Sequence, residues 1–100
     1  MKEIRHIAEE IREELDDAEK YAREAVKHAE DSPEDASTYA DLSRQELSHA
    51  NKLHEMAVRH IEKAKDAGNQ PTEAEKAVWD WEHERMMERT AHVKTLLSMM

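Results

Sequence analysis

Ala29-Glu30-Asp31-Ser32-Pro33-Glu34-Asp35 is the break that turns one long helical stretch into a hairpin. Ser32 reads as an N-cap, Pro33 as a first helical residue whose missing N–H costs nothing there, and Asp35 as an acidic N3 residue. Before the break, Ile4, Ile7, Ile11, Leu15, Ala18, Ala22, Ala25 and Ala29 recur at helical spacing and predict helix 1 over about 2–30. After it, helix 2 runs over about 33–66. Gly68 is a left-handed stop, Pro71 prevents continuation, and Thr72 with Glu75 forms the capping box that opens helix 3, about 72–98. Both connections are short, so consecutive helices are antiparallel neighbours. The expectation is an all-α, up-down-up three-helix unit, with residues 1–100 forming a single domain.

Composition agrees with this reading. One Gly, two Pro, no Phe and 39% charged residues leave little room for strands. A net charge of -9 without basic patches makes nucleic-acid backbones and anionic membranes poor partners. The absence of cysteine removes disulfides, zinc-thiolate sites and thiol catalysis. The segment from Met1 to Glu10 reads as a charged amphipathic helix rather than a signal peptide, and no apolar run approaches membrane-spanning length. A cytoplasmic protein is expected. Alanine-rich stripes, together with Trp79, Trp81, Met86, Met87, Met99 and Met100 on helix 3, offer more apolar surface than one small bundle hides. A homodimer or higher even-numbered oligomer follows as an expectation, with the methionines and tryptophans packed.

Within helix 2, Glu46 falls in line with Tyr39, Leu42, Ala50, Leu53 and Ala57, and His49 follows one turn later on the same face. An inward carboxylate needs a compensating cation, because burying it ionised is costly. A metal ion is one answer. Arg12, Lys20, Arg23, Lys27, Arg44, Lys52, Arg59 and Lys63 all project away from the inward stripes of helices 1 and 2, so no internal partner is evident. Glu14 borders the helix 1 stripe, level with His49 and within about one turn of Glu46 across the antiparallel pair. Tyr21, seven residues beyond Glu14, is placed to hydrogen-bond a ligand carboxylate or to fill space.

Glu82 of helix 3 is also inward, but Arg85 and Arg89 supply a neutraliser, so it ranks as a backup ligand only. Glu3 with His6 and Asp80 with His83 have similar spacing off the apolar stripes and read as solvated, as do Glu88 and His92. His60 reads as an inward core histidine, His54 as a stripe-edge residue, and His28 as lacking an acid one turn before it.

With Glu14 and Tyr21 on one helix and Glu46-x-x-His49 on the next, residues 10 to 60 resemble the ferritin-like di-iron carboxylate proteins. The likeness is nearest to half-ferritins of the encapsulated-ferritin type. It implies that helices 1 and 2 pair across a dimer into a four-helix bundle and that a di-iron site forms between subunits. It further implies Glu14, Glu46 and His49 as metal ligands and catalytic residues, Glu46 bridging, Tyr21 behind them, and ferroxidase activity toward Fe(II). A second Glu-x-x-His on a later helix is missing, since Arg85 follows Glu82 at that spacing. The chain also ends after a long helix 3 rather than a targeting tail, so packaging in a shell is not expected. Zn or Mn are possible substitutes at the same ligands. The competing reading is a non-enzymatic helical oligomerisation or interaction module whose Glu46 and His49 form a structural buried pair.

Overall fold

The computed structural model of the protein describes residues 2–100. Three α-helices follow one another, α1 (Lys2–His28), α2 (Pro33–Asp66) and α3 (Glu73–Ser98), forming a rod of 56 × 17 × 16 Å. Antiparallel pairing of α1 and α2 sets Ala18 against Ser43 and Glu14 against His49. α3 then runs parallel to α1, with Arg12 meeting Glu82, Asp16 meeting Arg89 and Glu19 meeting His92. The up-down-up path is the expected one. No helix among the described residues is long and apolar enough to cross a membrane.

The punctuation behaves largely as its chemistry dictates. Gly68 adopts φ +81°, the left-handed conformation open to a residue without Cβ. Thr72 Oγ1 accepts from the Glu75 N–H at 3.1 Å, and the Glu75 carboxylate accepts from the Thr72 N–H at 2.9 Å, completing the capping box. Ser32 differs from expectation: it occupies the N-cap position ahead of Pro33, but its side chain makes no capping bond. Its backbone acts instead, donating to the His28 carbonyl and accepting from the Ala36 N–H, both at 2.9 Å.

Ile4, Ile7, Ile11 and Leu15 bury one end of the α1 stripe, and Ala18, Ala22 and Ala25 bury the other. Small residues at the hinge end let the two backbones approach closely. There Ser43, fully buried, donates its hydroxyl to the Ala18 carbonyl at 2.7 Å. Ser43→Val loses this donor and adds a methyl group where there is no space. It is expected to destabilise the fold by about 1–3 kcal/mol, read as a lower denaturation midpoint at unchanged slope.

α2 carries two interleaved seams, not the single stripe expected. Ala36, Ala40, Ser43, Ala50 and Ala57 are buried, whereas Tyr39, Leu42, Glu46, Leu53 and Met56 form a half-buried row beside them. His60 lies outside both and is exposed, so it is not a core histidine. On α3, Met86 and Val93 are buried and Trp79, Leu96 and Leu97 pack against the hairpin. Trp81, Met87, Met99 and Met100 are exposed instead of packed, because the apolar residues of α3 point to all sides and one hairpin covers only one of them.

Candidate metal centre

Glu14 from α1 and Glu46 and His49 from α2 converge on the half-buried face of the hairpin. The His49 Nδ1 lies 3.5 Å from a Glu14 carboxylate oxygen and 3.6 Å from one of Glu46. A ligand atom from each residue lies within 4.8 Å of the other two, and no other group of three acids or histidines among the described residues comes so close. Two helices at fixed separation create this geometry. Glu46 and His49 share a face through their i, i+3 spacing, and the Ala18–Ser43 contact sets the register that brings Glu14 level with them.

The electrostatics of the trio are those of crowded carboxylates. Hydrogen bonding to Glu46, then burial, then the Glu46 charge raise the Glu14 carboxyl above its ordinary range, against the opposing pull of His49. Neither Glu14 nor Glu46 is paired with Lys or Arg among the described residues. Two carboxylate oxygens and an imidazole nitrogen form a donor set suited to borderline divalent cations such as Fe, Zn and Mn. A bound cation relieves the carboxylate crowding directly.

His49 departs from the inward placement read from its spacing. Its side chain is 52% exposed, against 27% for Glu14 and 19% for Glu46. It sits at the rim of the second α2 seam, turned back onto the two carboxylates, with its outer side open. Tyr21 stacks on Tyr39 with ring centroids 6.3 Å apart and carries the Lys20 ammonium 5.8 Å from its centroid. It makes no hydrogen bond to Glu14 or Glu46 among the described residues. Its role here is to pack the face beyond the trio.

Glu82 is removed from the site. It pairs with Arg12, not with the expected Arg85 or Arg89. Arg12 projects outward from the hairpin alone, but α3 covers that side, so the position becomes interhelical. Arg89 reaches across to Asp16 at 2.6 Å, and Arg85 lies over Trp81 at 5.0 Å. His28 is flanked by Glu24 and Asp31, each at 3.5 Å, and stacks on Tyr39. The acid one turn before it is therefore present at i−4. His92 meets Glu19 of α1 at 3.4 Å rather than standing with Glu88 in solvent. His83, expected in solvent, stacks on His54. The distances across α1 and α3 could not be read from spacing, because nothing in the chain fixes which face of α3 docks.

No known protein family, no curated protein and no solved structure matches this chain.

Proposed function

We propose that the chain binds a transition-metal cation, iron first among them, through Glu14, Glu46 and His49, and that a second copy completes the site. The observation that carries this reading is the convergence of two carboxylates and an imidazole without a Lys or Arg partner among the described residues. One trio fills only part of a metal's coordination sphere. The half-buried row of Tyr39, Leu42, Leu53 and Met56 flanks it on both sides, giving a second hairpin an apolar surface to cover. A two-fold axis through that face doubles the set to four carboxylates and two imidazoles, the complement of a paired iron site in a ferritin-like four-helix bundle.

The resemblance in residues 10 to 60 then supplies the reaction, oxidation of ferrous iron as substrate. Two Fe(II) ions each lose one electron, and dioxygen takes up both electrons and two protons to give hydrogen peroxide. The carboxylates favour the higher charge of the ferric product, and the His49 imidazole holds the cation in place by a nitrogen lone pair. A second reading, a structural polar pair inside an oligomerisation module, is favoured by one feature. Protonated His49 would ion-pair with both carboxylates from its present position, offsetting one of their two charges.

Sedimentation mass with and without metal separates the two. Wild type is expected to dimerise or form larger even-numbered assemblies with about one Fe(II), Zn(II) or Mn(II) ion per chain under anaerobic conditions. Glu46→Ala is expected to stay helical and bind none. Equal assembly of both proteins without metal supports the module and removes the metal reading.

A further inference from the structure

We propose that the stacked pair of His54 and His83 is an acid-released latch that holds the N-terminal half of α3 on the α1–α2 hairpin. The two imidazole rings lie 4.8 Å apart at an interplanar angle of 22°, one from α2 and one from α3. Trp79 stacks on both, 5.7 Å from His54 and 6.4 Å from His83. This three-ring ladder ties α3 to α2, although α3 lies chiefly along α1.

The two halves of α3 are held differently. Val93, Leu96 and Leu97 seat the C-terminal half against Ala18, Ala22 and Leu47. The N-terminal half borders an open groove of about 590 Å³, whose apolar walls include Ile4, Val58, Ile61 and Val78. Among the described residues, Trp79, Met86, the Arg12–Glu82 pair and the histidine ladder fasten it.

The charges around the ladder set the sign of its response. The small cavity behind the rings is lined by Arg12 from α1 and by Glu82, Arg85 and Arg89 from α3. Glu82 is taken by Arg12, and Arg89 is taken by Asp16. From α2, Glu55 is the acid that favours a charged His54. A proton on His54 therefore adds charge beside the His83 ring, in a crevice where the remaining ions, Arg85 and Glu55, already balance. Burial first, then the His83 charge, hold His54 below the ordinary histidine range, against Glu55. A histidine whose folded-state value is depressed binds its proton more readily once undocked. Docking is therefore complete above the unperturbed value of about 6.5 and is lost as the pH falls below it.

Hydrogen exchange on the metal-free protein tests this independently of the metal centre. From about pH 7.5 to about pH 5.5, protection of amides 77–86, corrected for intrinsic rates, is expected to fall by about tenfold or more, because each extra proton taken up on undocking contributes up to tenfold per pH unit. Amides 90–97 are expected to change much less. The double substitution His54→Phe with His83→Phe keeps aromatic rings at both positions and removes both imidazoles, and its protection should not depend on pH. Should that double variant misfold, His83→Phe alone removes the like charge and is expected to reduce the loss without abolishing it, because burial of His54, the larger cause, remains. Protection of 77–86 that stays flat in wild type, or falls equally in the phenylalanine variants, overturns the latch.

Discussion

Glu46→Ala is expected to slow oxygen-dependent oxidation of Fe(II) by at least about a hundredfold, since even residues that only support a metal ligand are worth ten- to a hundredfold. Glu46 is the most buried member of the trio: it raises Glu14 through a shared hydrogen bond and lies 3.6 Å from His49. Its removal leaves one carboxylate and one imidazole, and in a two-fold assembly the loss occurs twice. The variant should also separate the two energetic roles of the residue. Without metal, loss of Glu46 relieves carboxylate crowding, so the apo fold keeps its stability or gains some. With metal, the added stability that a ligand-bound native state enjoys over its unfolded chain disappears. Glu46→Gln, which retains volume but not charge, is expected to behave as the alanine variant does in oxidation. Oxygen uptake with Fe(II) at the wild-type rate in both variants would remove the ferroxidase proposal.

Leu15→Ala is expected to produce the largest loss of stability, about 2–5 kcal/mol, of a total that is about 5–15 kcal/mol for domains of this kind. Leu15 is 1% exposed and is the largest fully buried side chain among the described residues. It belongs to the cluster of Ile11, Ala50 and Met86, in which all three helices meet, so no single helix can move to close the void. The melting temperature should drop by roughly 10 °C or more on the scaling for small domains. Because Glu14 precedes it directly, Leu15 also anchors the turn of α1 that carries the metal centre. A loss below about 1 kcal/mol, the range of surface changes, would show that this layer is not the packed centre of the fold.

How far the sequence reached depended on how unambiguous each face was. In α1 the isoleucines and Leu15 leave only one possible stripe, and every one of its members from Ile4 to Ala25 is buried. Gly68, Pro71 and the Thr72–Glu75 box likewise have few alternative uses. α2 is harder because alanine and serine fill its closest contacts while leucine, tyrosine and methionine fill the row beside them. Weighting by hydrophobicity therefore drew Glu46 and His49 deeper than they lie. The level of Glu14 with His49 was nevertheless readable, since counting outward from one short hinge fixes an antiparallel register. α3 offered no such constraint. Its apolar residues surround the axis, so neither the Arg12–Glu82 pair nor the histidine ladder had a signature in spacing.

The parallel packing of α3 on α1 also sets the order in which the molecule assembles. The hairpin is closed by a contact between residues 25 apart, Ala18 and Ser43, whereas the Arg12–Glu82 contact joins residues 70 apart. Loop-closure entropy and topology make the nearer pairing the earlier one. During synthesis, α1 and α2 are both available before α3 has been made. The hairpin therefore forms first and presents its Ile- and Leu-rich groove as a template, onto which the third helix condenses last.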